Sequence, residues 1–101
     1  MILPKQTQYR ILRTMTKSMR AIFLHTASEL NELSKELIDA TEQSLDTGTM
    51  SIYVSKKQAE KIISEMADVL IMLVALKNAL EIQDREIMDN IYKVCERYEQ
   101  A

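Results

Sequence analysis

Only two residues in this 101-residue chain, Pro4 and Gly48, belong to the types that readily interrupt a helix. Sheets and tight turns use glycine and proline more often than this, whereas long helices do without them. No segment alternates apolar and polar residues for long enough to predict a strand. The sequence therefore predicts an all-α protein, with a bundle of about three helices per chain.

The first predicted helix is long. No helix breaker occurs between Lys5 and Thr47, and apolar residues recur at steps of three, four or seven. This spacing keeps them on one side of a helix, at about 100° per residue. We predict one helix, straight or kinked, over about residues 6–45, with a stop at Thr47-Gly48. The stripe consists of Leu12, Met15, Met19, Phe23, Leu30, Leu33 and Leu37.

A linker over residues 46–54 precedes a second predicted helix at about 56–81. Ser55 and Gln58 have the S-x-x-Q spacing of a capping box at its start. This helix is apolar on more than one side, which is typical of a central helix in a bundle. Its main stripe consists of Ile62, Met66, Val69, Leu73, Leu76 and Leu80.

Asp84 is the predicted N-cap of a third helix, over about residues 85–99. Three helices of one small chain cannot cover all the apolar sides of the second helix. We therefore expect a homodimer or homotetramer, in which dimerisation completes a core like that of a four-helix bundle. The whole chain, residues 1–101, is predicted to form a single domain. The stripe of the third helix is Ile87, Ile91, Val94 and Tyr98.

The N-terminal segment, about residues 5–22, is basic and amphipathic. Residues 1–28 contain no acid, and all 15 acids lie from Glu29 onward. The favoured interpretation is pairing with acids of a partner subunit, and guidance of an anionic substrate is a second one. Binding to nucleic acid or to an anionic membrane is the least favoured. The basic residues are Lys5, Arg10, Arg13, Lys17 and Arg20.

The compartment is indicated by what the chain lacks. A single cysteine, Cys95, excludes an intramolecular disulfide and fits a reducing environment. The longest apolar run is well below the roughly 18 residues of a membrane-spanning helix, and the N-terminus does not resemble a secretory signal. We expect a cytoplasmic protein with no membrane partner.

Two carboxylates, Glu65 and Asp68, stand directly before the most hydrophobic segment of the chain, residues 69–76. They are three residues apart, so both project from one face of the second helix. Carboxylates are seldom placed at a buried edge unless something pairs with them. The alternative interpretation is a charged helix edge near the domain surface.

A matching acidic set, Glu29, Glu32 and Glu36, borders the apolar stripe of the first helix. If the two helices pack antiparallel, the two sets face each other, and their mutual repulsion calls for a cation. Oxygen ligands without histidine or cysteine suit Mg²⁺, with Mn²⁺ as a second choice. Taken alone, E-x-x-E is also consistent with a solvated helix face.

The two motifs together resemble the MazG-like nucleotide pyrophosphohydrolases, which are all-α NTP pyrophosphatases. The match lies in "SELNELSKEL" and "SEMADVLIMLVAL" and extends over about residues 20–98. The resemblance implies a helical bundle built from dimers, and hydrolysis of a nucleoside triphosphate to a monophosphate and pyrophosphate. The Mg²⁺ ligands that it implies are Glu29, Glu32, Glu65 and Asp68.

Hydrolysis of a phosphoanhydride needs a general base and cationic contacts besides the metal. Glu36 or Glu32 is the predicted base. Basic residues near the two later helices are available for the phosphates, and an aromatic ring is available for the nucleobase. The candidate substrate-binding residues are Lys57, Lys61, Asn90, Lys93 and Arg97 for phosphate, with Phe23 and Tyr53 for the nucleobase.

A non-catalytic helical oligomer, serving as an interaction or regulatory protein of the same fold, is the alternative class. The acids discriminate between the two classes, since a scaffold has no need of Asp68 at a buried edge. His25 is the only histidine and lies four residues before Glu29. We interpret it as a structural or surface residue, because no E-x-x-H pair accompanies it.

Overall fold

The computed structural model describes residues 3–44 and 54–100. Over these ranges the chain is all-α, which confirms the predicted fold class. None of the helices in these two ranges is long and apolar enough to cross a membrane. The predicted stop at Thr47-Gly48 and the candidate Tyr53 lie outside the described residues. The helices are α1 (Lys5–Thr14), α2 (Met19–Ser44), α3 (Lys56–Ala79) and α4 (Asp84–Glu99).

The helix is interrupted between Thr14 and Met19, so the prediction of one continuous first helix is wrong. Met15 has φ −103° and ψ 79°, outside the helical region. The Thr14 hydroxyl donates to the Ile11 carbonyl at 2.8 Å, and the Ser18 hydroxyl accepts the Ala21 N–H at 3.2 Å. Hydroxyl side chains that bond nearby backbone groups compete with helix continuation. Apolar periodicity continues across the break and therefore hides it.

α3 begins where the capping pattern predicts. Ser55 is the N-cap, and its side chain accepts the N–H of Gln58 at 3.2 Å. The packed core lies between α2 and α3, where Ile22 contacts the buried Met72 and Ala75. This places the start of α2 beside the end of α3, so the two helices run antiparallel.

α3 ends in a Schellman turn rather than continuing to residue 81. The N–H of Ile82 bonds the Lys77 carbonyl at 3.0 Å, and the N–H of Glu81 bonds the Asn78 carbonyl at 3.1 Å. Glu81 occupies the left-handed position of this turn, with φ 56°, where glycine is the usual residue. The turn redirects the chain into α4.

The N-cap of α4 is Gln83, so the prediction of Asp84 is wrong. The Glu86 N–H donates to the main-chain carbonyl of Gln83 at 3.0 Å, and the Glu86 carboxylate accepts the N–H of Gln83 at 2.7 Å. Asp84 is the first helical residue, and its carboxylate forms an ion pair with Lys77. The hydrogen bond from Lys77 lowers the pKa of Asp84, against the opposing effect of burial. Lys77 also donates to the Gln8 amide oxygen at 2.5 Å, so this corner joins α1, α3 and α4.

Only the start of α4 contacts the other helices of its own chain in the described ranges, through Asp84 with Lys77 and Gln8 and through Ile87, which borders a cavity with α3. In the described ranges, no Cα atom of α4 comes within 8 Å of a Cα atom of α1, α2 or α3. Its apolar stripe is correspondingly open, with Ile87 36%, Ile91 38% and Tyr98 78% exposed. An amphipathic helix of 16 residues is only marginally stable in water without a packing partner. The stripe of α4 is therefore an apolar surface that its own chain leaves uncovered.

Candidate metal centre

Antiparallel packing of α2 and α3 brings acids of the two helices together. Glu29 of α2 and Glu65 and Asp68 of α3 each present one carboxylate oxygen, and these three oxygens lie within 4.8 Å of one another. The spacing of three residues puts Glu65 and Asp68 on the same face of α3. Glu29 and Glu65 are half-buried, whereas Asp68 is exposed. We call these three residues the carboxylate cluster.

Glu65 contributes a buried oxygen atom to the carboxylate cluster. Its Oε2 atom is buried, and no protein group in the described ranges hydrogen-bonds to it. A buried carboxylate oxygen without a partner is costly and rare in folded proteins. Such an atom, beside two further carboxylate oxygens, fits a bound cation with oxygen ligands.

Every resolved influence on the Glu65 carboxylate raises its pKa. Desolvation by burial is the largest cause that raises its pKa, followed by repulsion from four other carboxylates. Among the described residues, no lysine or arginine forms an ion pair with the carboxylate cluster. The negative charge is thus concentrated and uncompensated, which is the condition that a divalent cation relieves. The four carboxylates, in decreasing order of effect, are Asp68, Glu32, Glu29 and Glu36.

Of the four predicted ligands, the structure brings three together and leaves Glu32 outside the carboxylate cluster. Glu32 is exposed on α2, and its charge acts on Glu65. Glu36, the other candidate base, is half-buried on the same helix and also acts on Glu65 through its charge. Both predicted bases therefore border the carboxylate cluster.

His25 contacts the carboxylate cluster, which the sequence analysis did not foresee. Its Nε2 lies 3.0 Å from Glu29 Oε1, and its Nδ1 lies 2.6 Å from Lys17 Nζ. The spacing of four residues between His25 and Glu29 was the available signal, because residues i and i+4 are neighbours on a helix. The absence of an E-x-x-H pair argues against His25 as a metal ligand. It says nothing about a residue that supports a ligand.

The candidate substrate-binding residues are spread over three helices. Phe23 is partly exposed on α2, and Lys57 and Lys61 are exposed near the start of α3. Asn90, whose amide donates to the Glu86 carbonyl at 2.8 Å, lies on α4. In the described ranges no Cα atom of α4 lies within 8 Å of a Cα atom of α2 or α3, and no hydrogen bond or ion pair joins these candidates to the carboxylate cluster. The other two exposed candidates on α4 are Lys93 and Arg97.

The described residues form an all-α chain in which Glu29, Glu65 and Asp68 lie close together between two antiparallel helices. Comparison with protein-family models, curated proteins and solved structures finds no match to this chain.

Glu65→Gln is expected to stabilise the metal-free protein at neutral pH. Because the pKa of Glu65 is raised in the folded state, the folded chain binds this proton more tightly than the unfolded chain. Wild-type stability should therefore increase as pH falls through that raised pKa towards the ordinary glutamate value, about 4.3. Glu65→Gln removes the titrating group and should flatten this part of the profile. Thermal melting in the presence of a chelator, at a series of pH values, measures both effects.

Glu60→Gln is the matched control for this experiment, because Glu60 is an exposed acid on the same helix. It should leave the slope of the pH profile close to that of the wild type. A Glu65→Gln variant that is less stable than wild type at neutral pH, with an unchanged slope, would show that the Glu65 carboxylate is paired in solution.

Proposed function

We propose that this chain is an Mg²⁺-dependent nucleoside triphosphate pyrophosphohydrolase, with Mn²⁺ as an alternative ion and the cytoplasm as its compartment. The observation that carries the proposal is the buried, unpartnered Oε2 of Glu65 beside the carboxylates of Glu29 and Asp68. The resemblance of the E-x-x-E and E-x-x-D motifs to MazG-like enzymes supports the reaction class. The products are a nucleoside monophosphate and pyrophosphate.

The carboxylate cluster would hold the ion, and Glu32 at its border would complete the ligand set that the resemblance implies. A divalent cation there supplies charge neutralisation of phosphate oxygens and activation of a water for attack. The unpaired oxygen of Glu65 is the strongest indication of fit, because a cation satisfies it without any change in the fold.

Glu36 or Glu32 is the proposed general base. Either carboxylate would accept one proton from the attacking water as the new bond to phosphorus forms. The anhydride bond between the α- and β-phosphates breaks, and the electron pair leaves with pyrophosphate. The half-buried position of Glu36 gives it the weaker solvation, which favours it over the exposed Glu32 as the base.

The triphosphate also needs cationic contacts, which the carboxylate cluster does not provide. Lys57 and Lys61 on α3 are proposed for this role in the same chain. The candidates on α4, namely Asn90, Lys93 and Arg97, stand apart from the carboxylate cluster of their own chain and would need a second copy to approach one.

We further propose that the protein is a homo-oligomer, in which a second copy covers the apolar stripe of α4. Several residues of this stripe are open in the single chain, with Ile87 36%, Ile91 38% and Tyr98 78% exposed. A second copy that packs on the stripe would remove these apolar side chains from water.

A non-catalytic helical oligomer remains the alternative. The observation that favours it is the open apolar stripe of α4, where Ile91 is 38% and Tyr98 78% exposed. Such a protein would need the apolar stripe of α4 but not the unpartnered Glu65.

The test is a comparison of melting temperatures in Mg²⁺, in Mn²⁺ and in NaCl of matched ionic strength. An ion that binds only the folded chain stabilises it by about 2.7 kcal/mol at a concentration of 100 times its Kd. We expect the divalent ions to raise the melting temperature beyond the effect of NaCl, and Glu65→Gln to reduce that difference. Equal shifts in MgCl₂, MnCl₂ and NaCl would refute the metal centre.

A further inference from the structure

We propose that His25 is a positioning residue, which holds the Glu29 carboxylate in place for the metal ion and is itself held by Lys17. This inference deepens the proposed function and rests on it. It assigns to two residues outside the carboxylate cluster a role in metal affinity.

The contacts form a continuous chain from the segment between α1 and α2 to the carboxylate cluster. Lys17 Nζ lies 2.6 Å from His25 Nδ1, and His25 Nε2 lies 3.0 Å from Glu29 Oε1. Both distances are within the range of ordinary hydrogen bonds. Lys17 can reach His25 because the chain leaves the helical path between Thr14 and Met19.

The direction of each hydrogen bond follows from the chemistry of the groups. The Lys17 ammonium has only donors, so Nδ1 of His25 must accept. A neutral imidazole with Nδ1 as acceptor carries its proton on Nε2, which therefore donates to the Glu29 carboxylate. Lys17 thus selects the tautomer in which His25 can bind Glu29.

Glu29 needs such support more than an isolated surface acid does. Its carboxylate faces those of Glu65 and Asp68 within 4.8 Å, so repulsion favours rotamers that turn it away. The hydrogen bond from His25 to Oε1 opposes that rotation, and a carboxylate has a second oxygen that can act as a ligand. The Glu29 side chain is 18% exposed and that of His25 is 34% exposed, so water competes only partly for this bond. Residues that orient a metal ligand in this way commonly change affinity 10–100-fold on mutation.

Two substitutions of similar size separate positioning from a general structural effect. In His25→Gln the amide nitrogen falls near the place of Nε2 and can still donate to Glu29. In His25→Asn the amide nitrogen falls near the place of Nδ1 and is too short to reach Glu29. Both side chains are polar, and any difference in helix propensity is measured separately by melting the metal-free proteins.

Mn²⁺ is the probe, because the free ion gives an electron paramagnetic resonance signal that disappears on binding. Titration of the full chain at one fixed neutral pH yields the Kd without any substrate. We expect His25→Asn to raise the Kd for Mn²⁺ about 10–100-fold, and His25→Gln to stay within about threefold of wild type. Lys17→Met removes the donor to His25 Nδ1 and should also raise the Kd, whereas Lys35→Met, which removes one positive charge at an exposed position of α2, should stay near wild type.

The outcomes distinguish the two levels of the proposal. Equal Mn²⁺ affinity in wild type, His25→Gln and His25→Asn would overturn the positioning role and leave the metal centre standing. Equal weakening in both His25 variants would also overturn it, because the retained donor would then have no effect. Absence of Mn²⁺ binding by the wild-type protein would overturn the metal centre, and the role of His25 with it.

Discussion

Asp68→Asn should lower metal-dependent pyrophosphate release by orders of magnitude, while the metal-free protein stays as stable as wild type or becomes more stable. Asp68 is one of three acids whose carboxylate oxygens lie within 4.8 Å of one another. Asparagine keeps the shape of the side chain but is a poorer ligand for Mg²⁺. Each factor of ten in rate corresponds to about 1.4 kcal/mol of transition-state stabilisation.

Stability should move in the opposite direction because the repulsion within the carboxylate cluster decreases. Among the neighbouring charges, Asp68 has the largest effect in raising the pKa of Glu65. Its neutralisation therefore reduces the repulsion on the Glu65 carboxylate directly. Opposite changes of activity and metal-free stability are the mark of a site at which fold stability is given up for function.

Metal-free melting and pyrophosphate release on this one variant separate three accounts of Asp68. Asp89→Asn is the control, since it makes the same chemical change at an exposed position of α4. If Asp68 is a surface residue without a function, the variant should have a stability within about 0.5 kcal/mol of wild type and unchanged activity. A clear loss of metal-free stability would indicate a structural ion pair. Full activity in Asp68→Asn would exclude it as a metal ligand.

Ile91→Lys should convert a homo-oligomer of this protein into a monomer of 11.7 kDa. Ile91 lies within the stripe of α4, which no other helix of its own chain covers in the described ranges. If a second copy covers this stripe, a lysine there would be buried without a counter-charge, and the cost of that burial opposes association. Once released, α4 is a short helix in water and should lose part of its helicity.

Light scattering at micromolar concentration measures the mass, and circular dichroism measures the loss of helix. Asp89→Lys introduces the same side chain on the opposite side of α4 and should leave the assembly intact. A wild-type mass of 11.7 kDa would contradict the oligomer outright. A mass that is unchanged in Ile91→Lys would show that the interface between copies does not include Ile91 of α4.

Local sequence signals were enough to place the start of α3 and to put the acids of α2 and α3 beside their apolar stripes. Ser55 and Gln58 mark the start of α3, and the capping hydrogen bond is present there. The acids of α2 and α3 were predicted to face each other from their places beside the apolar stripes. Of these acids, Glu29, Glu65 and Asp68 lie close together, and Glu32 lies outside the carboxylate cluster, because helix periodicity fixes which residues share a face.

The predictions that failed depended on contacts between elements or on competition within the backbone. Asp84 is of a residue type that is preferred at the N-cap. Its carboxylate instead binds Lys77 and Gln8, and Gln83 is the N-cap. The break before α2 arises from hydroxyl groups of Thr14 and Ser18, which an apolar pattern does not register. Neither the separation of α4 from the rest of the chain nor the reach of Lys17 to His25 can be read from periodicity.

The most direct test of the metal-dependent reaction is release of pyrophosphate from a panel of standard and modified nucleoside triphosphates. The wild-type protein is assayed with Mg²⁺, with Mn²⁺ and with a chelator, and Glu65→Gln is assayed beside it. The account predicts pyrophosphate and nucleoside monophosphate in equal amounts from at least one substrate, only with the divalent ion, and a loss of this release in Glu65→Gln. Release that is the same in wild type and Glu65→Gln, or no release from any member of the panel with either ion, would contradict it.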